Sequence, residues 1–174
     1  VKSCKNGNQK PISKKIITRA LKNITIPGRF EIFNSKLTTY NLQLTTILDG
    51  AHNPIKIQAL VQALRQSFPK RKFIFVFAAK KTKDYGAMLK KITPLAKKIY
   101  LSPFKATTDY GKRQSVPPRE MVKLLKTIWG GECKIARNSE EAIQKALRTA
   151  KERDIIVVTG SLYLVGEIRS FLVK

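Results

Sequence analysis

The chain has 174 residues and 43% hydrophobic content, which is enough apolar material to build the core of one compact domain. No apolar run approaches the roughly 20 residues that cross a bilayer, and the opening stretch lacks the apolar segment of a signal peptide. The two cysteines, Cys4 and Cys133, lack the paired spacing of a zinc site or a disulfide framework. We therefore expect a soluble protein of the reducing cytoplasm, with no membrane partner.

The formal net charge of +24 raises the question of nucleic acid binding. Most of the 35 basic residues are lysines that are scattered through the helical stretches. They form no arginine-rich tract and do not alternate with aromatic residues. This distribution favours a solvated, lysine-rich surface, and we do not expect nucleic acid as a partner. A basic RNA-binding module remains the alternative from a different class of protein.

The first element along the chain is an amphipathic helix, because residues 12–24 place six apolar side chains at helical spacing. The pattern breaks at Pro27, and a short strand is predicted around 30–33. Since the first residue is not a methionine, we expect a piece of a longer protein. Residues 1–26 are predicted to be a leader and the last helix and linker of a preceding ATPase domain, and residues 27–174 are predicted to form the domain itself.

The remainder of the chain alternates between strands and helices. Apolar, β-branched runs predict buried strands at 44–49, 72–78, 97–102, 133–137 and 154–160. Helices are predicted after Asn53, Asp84 and Asn138, which are residue types that cap helix amino termini, and a final helix follows Ser161. Strands of this kind, separated by helices, are typical of a parallel sheet covered on both faces. The predicted fold class is α/β, a Rossmann-like three-layer domain with a mostly parallel sheet flanked by helices.

The stretch 103–120 fits neither pattern. Gly111 and the adjacent Pro117 and Pro118 indicate a surface loop, followed by a helix from about 120 to 129. Long loops within compact domains are often functional, although a plain connector explains this one equally well.

Two of the predicted strands end in unusually polar sequences. The segment LDGAHNP, at 48–54, brings Asp49 and the chain's only histidine, His52, next to a helix cap. The segment 159–161, Thr-Gly-Ser, offers hydroxyl and N–H groups to a carboxylate or a phosphate at the start of a helix. Ligands of open parallel sheets bind at the carboxyl ends of strands, so both segments are candidate sites at one edge. Each also has a purely structural interpretation, since Asp49 can satisfy loop amides and Ser161 can be a helix cap.

Four motifs together make the sequence recognisable. They are PGRFE at 27–31, LDGAHNP at 48–54, KDYGAML at 83–89 and VTGSLYLVGEIR at 158–169. In this order they resemble folylpolyglutamate synthase and dihydrofolate synthase, which are members of the muramyl-ligase superfamily. The resemblance covers most of the chain and is weakest in the leader and at 104–118. It implies the carboxyl-terminal domain of an ATP-dependent ligase that joins L-glutamate to dihydropteroate or folate through an acyl phosphate.

The resemblance also implies cofactors and partners. These are ATP and Mg²⁺, L-glutamate, a folate or dihydropteroate substrate, and an amino-terminal ATPase domain. The sequence contains no G-x-x-x-x-G-K-[ST] loop, since the nearest segment, 110–113, lacks the leading glycine and the final hydroxyl. We therefore expect the phosphate-binding loop and the magnesium ligands in the amino-terminal domain. We expect no metal ligand in this chain and no activity from it alone.

The resemblance assigns roles to five residues. Arg29 would reach the nucleotide phosphates, and Asp49 would accept hydrogen bonds from the ribose. His52 would be the catalytic residue and would also bind the incoming glutamate together with Ser161. Tyr163, on the same turn as Ser161, is a further candidate for glutamate binding.

Several alternatives stay open. Arg29 could pair with Glu31, and Lys83 and Asp84 could form a surface ion pair. The chain departs from the family at 77–81, where relatives commonly have a glycine-containing loop, so the conformation of this segment is not predicted. Within the superfamily, the alternative function is that of a muramyl-peptide ligase acting on a cell-wall precursor.

Overall fold

The computed structural model of the chain describes residues 12–22, 26–37, 42–108 and 111–173. The strands are β1 (Glu31–Leu37), β2 (Leu42–Leu48), β3 (Phe73–Phe77), β4 (Ala96–Leu101), β5 (Lys105–Thr108), β6 (Gly111–Gln114), β7 (Glu132–Ile135) and β8 (Ile155–Thr159). The helices are α1 (Lys14–Lys22), α2 (Pro54–Ser67), α3 (Tyr85–Ile92), α4 (Pro118–Ile128), α5 (Ser139–Thr149) and α6 (Leu162–Leu172), and a short 3₁₀ helix spans Thr93–Leu95.

Six strands form one sheet in the order β1-β2-β8-β3-β4-β7. The edge strand β1 pairs antiparallel with β2, and the other four pairings are parallel. The predicted mostly parallel sheet is therefore confirmed. In the centre of this sheet, all five side chains of β3 are buried, as expected for a strand that is covered on both faces.

Successive side chains of a strand point to opposite faces, and β3 shows how this divides the core. Its three phenylalanines, Phe73, Phe75 and Phe77, belong to one hydrophobic cluster with buried residues of α2, α3 and α4. Ile74 and Val76 belong to a second cluster with buried residues of α5 and α6. Helices thus cover both faces of the sheet, and the predicted three-layer α/β fold is confirmed.

The helix starts agree with their predicted caps. The side chains of Asn53, Asp84 and Asn138 each accept a hydrogen bond of 2.8 Å from the backbone N–H three residues further on. A carboxylate oxygen of Glu141 accepts from the backbone N–H of Arg137, the residue before the Asn138 cap. Sequence-local hydrogen bonds of this kind explain why these helix starts were predictable.

The predicted surface loop at 103–120 is wrong. It contains a β-hairpin, in which β5 and β6 pair antiparallel. The hairpin is flanked by Phe104 and Val116, whose side chains are buried. The helix that follows starts at Pro118, earlier than predicted, because proline is well accommodated at the first helical position. The sequences of the two strands are mostly polar, and the large apolar residues lie only at their flanks. The alternation of apolar and polar residues that indicates a hairpin is therefore absent from this stretch.

The predicted helix at 12–24 is present as α1, although its last predicted residue, Ile24, lies outside the described residues, as do Cys4 and Tyr110. Ile16 on α1 is 61% exposed. The longest helix in the described part of the chain, α2, has 14 residues, and no helix there combines the length and apolarity that crossing a membrane requires.

Candidate functional site

The two polar segments predicted to share one edge of the sheet are in direct contact. Strands β2 and β8 are parallel neighbours, so their carboxyl ends meet. The backbone N–H of Gly160 donates to the carbonyl of Ala51 at 2.9 Å, and the Thr159 hydroxyl donates to the same oxygen at 3.4 Å. The N–H of Asp49 donates to the carbonyl of Val158 at 3.0 Å. The loop 49–53 and the start of α6 therefore form one hydrogen-bonded unit.

Gly160 makes this close approach possible. Its φ angle is +97°, in the region that favours glycine. A Cβ atom at this position would lie 2.3 Å from the carbonyl oxygen of Ala78 and 2.6 Å from the ring of Phe77. Any side chain at Gly160 would thus push the start of α6 away from the end of β3.

Asp49 holds the shape of the loop. One carboxylate oxygen accepts from the N–H of Phe30 at 2.9 Å, and the other accepts from the N–H of Ala51 at 2.8 Å. The N–H of Gly50 donates to the carbonyl of Gly28 at 2.8 Å, which is a second tie between the same two segments. Asp49 therefore has the structural role that was considered for it. Each of its oxygens has a further lone pair, so its role at a ribose stays a prediction.

Arg29 is exposed beside this loop. Its Nη1 donates to the carbonyl of Gly28 at 3.2 Å. The same atom would lie only 2.6 Å from a Cβ on Gly50, so the absence of a side chain at Gly50 lets the guanidinium rest against the loop. Arg29 is thus positioned by the backbone at Gly28 and Gly50, where the two segments meet.

The alternative pairing of Arg29 with Glu31 is wrong, because Glu31 binds Arg169 of α6. Arg169 Nε lies 3.1 Å from both carboxylate oxygens, and its Nη2 lies 3.0 Å from Oε1. The N–H of Gly28 also donates to Glu31 at 2.8 Å. Burial raises the pKa of Glu31, but the hydrogen bonds from Arg169 and Gly28 outweigh this effect and hold the pKa below its usual value.

A first cavity of about 340 Å³ lies on the Arg29 side of loop 49–53. Its polar lining comes from Arg29, Asp49 and Lys56. Its apolar lining includes Ala59, Leu60 and Ala63 of α2. Cations, an acid and an apolar wall suit a ligand with an anionic part and a flat apolar part.

His52 lies between this cavity and a second one. Its Nδ1 is 2.8 Å from the carbonyl oxygen of Gly50, which can only accept, so Nδ1 carries the proton. Its Nε2 is 3.4 Å from the ammonium nitrogen of Lys56, which can only donate. The geometry therefore favours the neutral tautomer with Nε2 as the acceptor. His52 lines the second cavity, whereas its partner Lys56 lines the first.

The second cavity, also of about 340 Å³, contains the residues predicted to bind glutamate. It is lined by His52, Lys80, Lys83, Gly160, Ser161, Leu162 and Tyr163. The structure thus brings His52, Ser161 and Tyr163 together. Arg29 and Asp49 line the first cavity instead. The functional assignments themselves stay predictions.

Ser161 and Tyr163 also have clear structural roles. Ser161 is 2% exposed, and its Oγ accepts from the N–H of Tyr163 at 3.2 Å, which makes Ser161 the amino-terminal cap of α6. The ring of Tyr163 packs against that of Phe104, with 5.3 Å between the centroids. Tyr163 therefore connects the cavity wall to the β5–β6 hairpin.

The surface ion pair considered for Lys83 and Asp84 is wrong. Asp84 caps α3, whereas Lys83 is half-buried in the second cavity, and the two form no ion pair in the described part of the chain. Sequence reasoning missed Lys80 as a cavity residue. The only signal was that this lysine lies in the segment 77–81, where the chain departs from the family.

The described residues do not fit a resident metal site. Within the described ranges, no three His, Cys, Asp or Glu side chains lie close enough together to bind a metal ion.

Comparison with known proteins gives the family. The model of the family described as Mur ligase, glutamate ligase domain, matches residues 28–162. A dihydrofolate synthase/folylpolyglutamate synthase of Bacillus subtilis is 27% identical over 162 residues, which are 92% of this chain and 34% of that protein. A UDP-N-acetylmuramoyl-L-alanyl-D-glutamate–2,6-diaminopimelate ligase of Clostridium tetani is 31% identical over 152 residues, which are 86% of this chain and 30% of that protein.

A solved structure has the same fold. The bifunctional folylpolyglutamate synthase/dihydrofolate synthase of Yersinia pestis, complexed with AMPPNP and a Mn ion, matches with a TM-score of 0.76 at 22% identity. The match covers 95% of this chain and 36% of that one. The chain thus spans about one third of the length of the relatives it matches. The predicted resemblance to folylpolyglutamate and dihydrofolate synthases is confirmed, and the chain belongs to the Mur ligase family as a glutamate ligase domain.

Proposed function

We propose that this chain is the carboxyl-terminal domain of an ATP-dependent ligase that joins L-glutamate to dihydropteroate or folate. The observation that carries the proposal is the pair of cavities on either side of loop 49–53. One offers cations, an acid and an apolar wall, as a nucleotide requires. The other offers lysines, a histidine and a helix amino terminus, as an amino acid with two carboxylates requires. Membership of the glutamate ligase family supports the same reaction.

The reaction has two steps. The γ-phosphoryl group of ATP passes to a carboxylate of the pterin substrate, which gives ADP and an acyl phosphate. The amino group of glutamate then attacks the acyl carbon and expels phosphate, and an amide forms. Both steps depend on holding the reactants in line and on neutralising the phosphate oxygens.

Within this scheme the residues of the chain have binding roles. We propose that Arg29 binds the nucleotide phosphates and that Asp49 binds the ribose. In the second cavity, Ser161 and Tyr163 contribute to glutamate binding. His52 is the candidate catalytic residue, because it lines the second cavity and its Nε2, which Lys56 contacts at 3.4 Å, can accept a hydrogen bond from the incoming amino group once that contact is released.

ATP and Mg²⁺ are the proposed cofactors. The Yersinia pestis relative is complexed with AMPPNP and a Mn ion, which supports a nucleotide and a divalent cation for the family. Because the described residues do not fit a metal site, we propose that the magnesium ligands and the phosphate-binding loop belong to an amino-terminal ATPase domain. In this scheme residues 1–26 are the leader and the end of that domain, and residues 27–174 are the ligase domain. A cytoplasmic location stays a prediction.

The test is reconstitution. This chain, mixed with the separately produced amino-terminal domain, ATP, Mg²⁺ and dihydropteroate or folate, should release ADP only when L-glutamate is added. The chain alone should release none. Arg29→Ala should raise the KM for ATP. The control is Arg71→Ala, which should leave this KM unchanged. Arg71 is exposed and lies just before β3, at the amino-terminal ends of the parallel strands and away from the site. A folded and docked complex without glutamate-dependent ADP release would contradict the proposal.

A cell-wall ligase is the second candidate function, because the Clostridium tetani relative is 31% identical. The substrate decides between the two. A folate ligase turns over with dihydropteroate or folate and L-glutamate, and a cell-wall ligase turns over with a nucleotide-linked muramyl peptide and its own amino acid. Turnover with the muramyl substrate alone would replace the first proposal by the second.

The charge of +24 keeps RNA binding as a candidate of a different class. A filter-binding titration tests it directly. Salt-steep affinity that persists at physiological ionic strength would favour an RNA-binding module. Loss of all binding above about 100 mM salt would dismiss it, because non-specific phosphate contacts weaken steeply with salt.

A further inference from the structure

We propose that Lys80 is a specificity-determining residue of the second cavity, and that it selects an amino acid whose side chain ends in a carboxylate without a neighbouring ammonium group. This inference rests on the proposed ligase function and deepens it. It concerns a residue at which the sequence departs from the family, so the family resemblance does not supply it.

The charge of the second cavity is the first argument. Lys80 and Lys83 are both half-buried, and neither ammonium makes a hydrogen bond or an ion pair to the residues that the structure describes. No Asp or Glu is among the described residues that line the cavity. The amino terminus of α6 adds the partial positive charge of an 11-residue helix. A cavity of this composition favours an anion at its cationic side.

The backbone around Lys80 is fixed by the hairpin. Lys80 forms an antiparallel bridge with Ser115, directly after β6. On either side of this bridge, the N–H of Val116 donates to Ala79 at 2.8 Å and the N–H of Lys81 donates to Gln114 at 3.1 Å. The hairpin that sequence reasoning assigned to a loop therefore holds Lys80 at the cavity wall.

Lys81 shows that this placement is specific. It is the next residue in the chain, it is exposed, and it does not line the cavity. Lys80 lies in the bridge to Ser115, whereas Lys81 begins the turn that the Lys83 N–H closes on the Lys80 carbonyl, so the two side chains leave the backbone in different surroundings. The two lysines therefore form a matched pair, with equal charge and only one position in the cavity.

The same chemistry separates the amino acids used by the two classes of relative. Glutamate ends in a carboxylate, which Lys80 can bind by a charge-assisted hydrogen bond. Diaminopimelate, named in the Clostridium tetani relative, ends in an ammonium beside a carboxylate. That ammonium would meet two lysines without an acidic partner in the described lining. The cavity therefore selects against a diamino acid.

The experiment measures amino acid selectivity in the reconstituted ligase and by calorimetric titration. L-Glutamate, L-glutamine as its neutral counterpart, and meso-diaminopimelate are compared for the wild type, Lys80→Met, Lys80→Gln and Lys81→Met. We expect Lys80→Met and Lys80→Gln to weaken glutamate binding about tenfold, the effect of one charge-assisted hydrogen bond, with a matching rise in KM. The kcat, the weak binding of glutamine, and every property of Lys81→Met should stay near the wild type.

The outcomes separate the two proposals. If the wild type turns over with glutamate and both Lys80 variants keep its preference for glutamate over glutamine, the role of Lys80 is overturned and the ligase function stands. Equal losses in Lys80→Met and Lys81→Met would also overturn it, since they would indicate general electrostatics. If the wild type shows no glutamate-dependent turnover, the ligase function is contradicted, and the role of Lys80 that rests on it is overturned as well. Circular dichroism of each variant confirms that the fold is retained.

Discussion

The two cavities, each of about 340 Å³, differ in how their charged side chains are held. In the first, the acid Asp49 is held by two backbone N–H groups, and Arg29 is held by a backbone carbonyl. In the second, Lys80 and Lys83 have no such partners among the described residues. A side chain whose hydrogen bonds are made within the protein maintains the shape of its site, whereas a cation without a partner remains available to a ligand. Substitution of Asp49 should therefore affect stability, whereas substitution of Lys80 should affect selectivity.

Loop 49–53 belongs to both cavities, and this limits their independence. The first cavity is built mainly from the contact between residues 28–31 and 49–51 and from α2. The second combines three separate segments, at His52, at 80–83 and at 160–163. Changes at the junction should therefore damage both sides, and the predictions below begin there.

Gly160→Ala should have the largest effect, because the added Cβ would lie within 2.6 Å of both the Ala78 carbonyl and the Phe77 ring. We expect a loss of about 3 to 4 kcal/mol in the free energy of unfolding, measured by urea denaturation. Gly166→Ala in the middle of α6 is the matched control, since a Cβ there meets no described atom within 4 Å. This control should leave stability unchanged or raise it by up to about 1 kcal/mol. Equal stability of the two variants would contradict the close approach of α6 to β3.

Asp49→Ala should have the next largest effect. It leaves the N–H groups of Phe30 and Ala51 without their acceptor, and we expect a loss of about 2 to 3 kcal/mol in the free energy of unfolding. Asp49→Asn retains one acceptor oxygen and should lose about half as much. If Asp49→Asn folds with little loss and yet no longer binds nucleotide, the ribose role gains support. Wild-type stability in Asp49→Ala would contradict the structural role.

Glu31→Gln should have the smallest of the three effects, about 1 to 2 kcal/mol at neutral pH, because the amide still accepts one hydrogen bond from Arg169 but loses the charge. Glu152→Gln, on an exposed turn before β8, is the control and should change stability by less than about 0.5 kcal/mol. The Glu31–Arg169 pair connects β1 to α6. Glu31→Gln therefore tests whether the wall of the first cavity, like that of the second, needs its contact with α6 for stability.

The same pair predicts a pH dependence. The pKa of Glu31 is lower in the folded protein than the ordinary value of 4.5, so its contribution to stability is present above that value. The contribution is lost as the pH falls through the folded pKa, where the carboxylate becomes protonated. The difference in unfolding free energy between the wild type and Glu31→Gln should therefore shrink below about pH 4.5. A difference that stays constant down to pH 2 would contradict the ion pair.

Much of the fold was predictable, because its signals are local. A continuous apolar run such as 72–78 predicts a buried strand, and Asn53 followed by Pro54 predicts a helix start. The candidate site was predictable for the same reason, since a polar segment at the end of a parallel strand lies at the ligand-binding edge. The division of Asp49 and His52 between two cavities was not predicted, because the two residues lie in one short segment.

The errors have two physical causes. The β5–β6 hairpin joins neighbouring segments and was missed because its sequence has no periodic signal, whereas the Glu31–Arg169 pair and the position of Lys80 depend on contacts between segments that are distant in the sequence. Glu31 and Arg169 are 138 positions apart, so no spacing rule relates them. Arg29, only two positions from Glu31, was the nearer candidate in sequence and was wrong.

The sequence by itself determined the layers, the helix caps and the edge of the sheet at which polar residues gather, because these follow from side-chain periodicity and from hydrogen bonds within a few residues. Only the tertiary structure decided which charges meet. It paired Glu31 with Arg169, and through the hairpin it turned Lys80 rather than Lys81 into the second cavity. Charge partners are fixed by packing in three dimensions, and a lysine-rich chain offers too many equivalent partners for the sequence to choose among them.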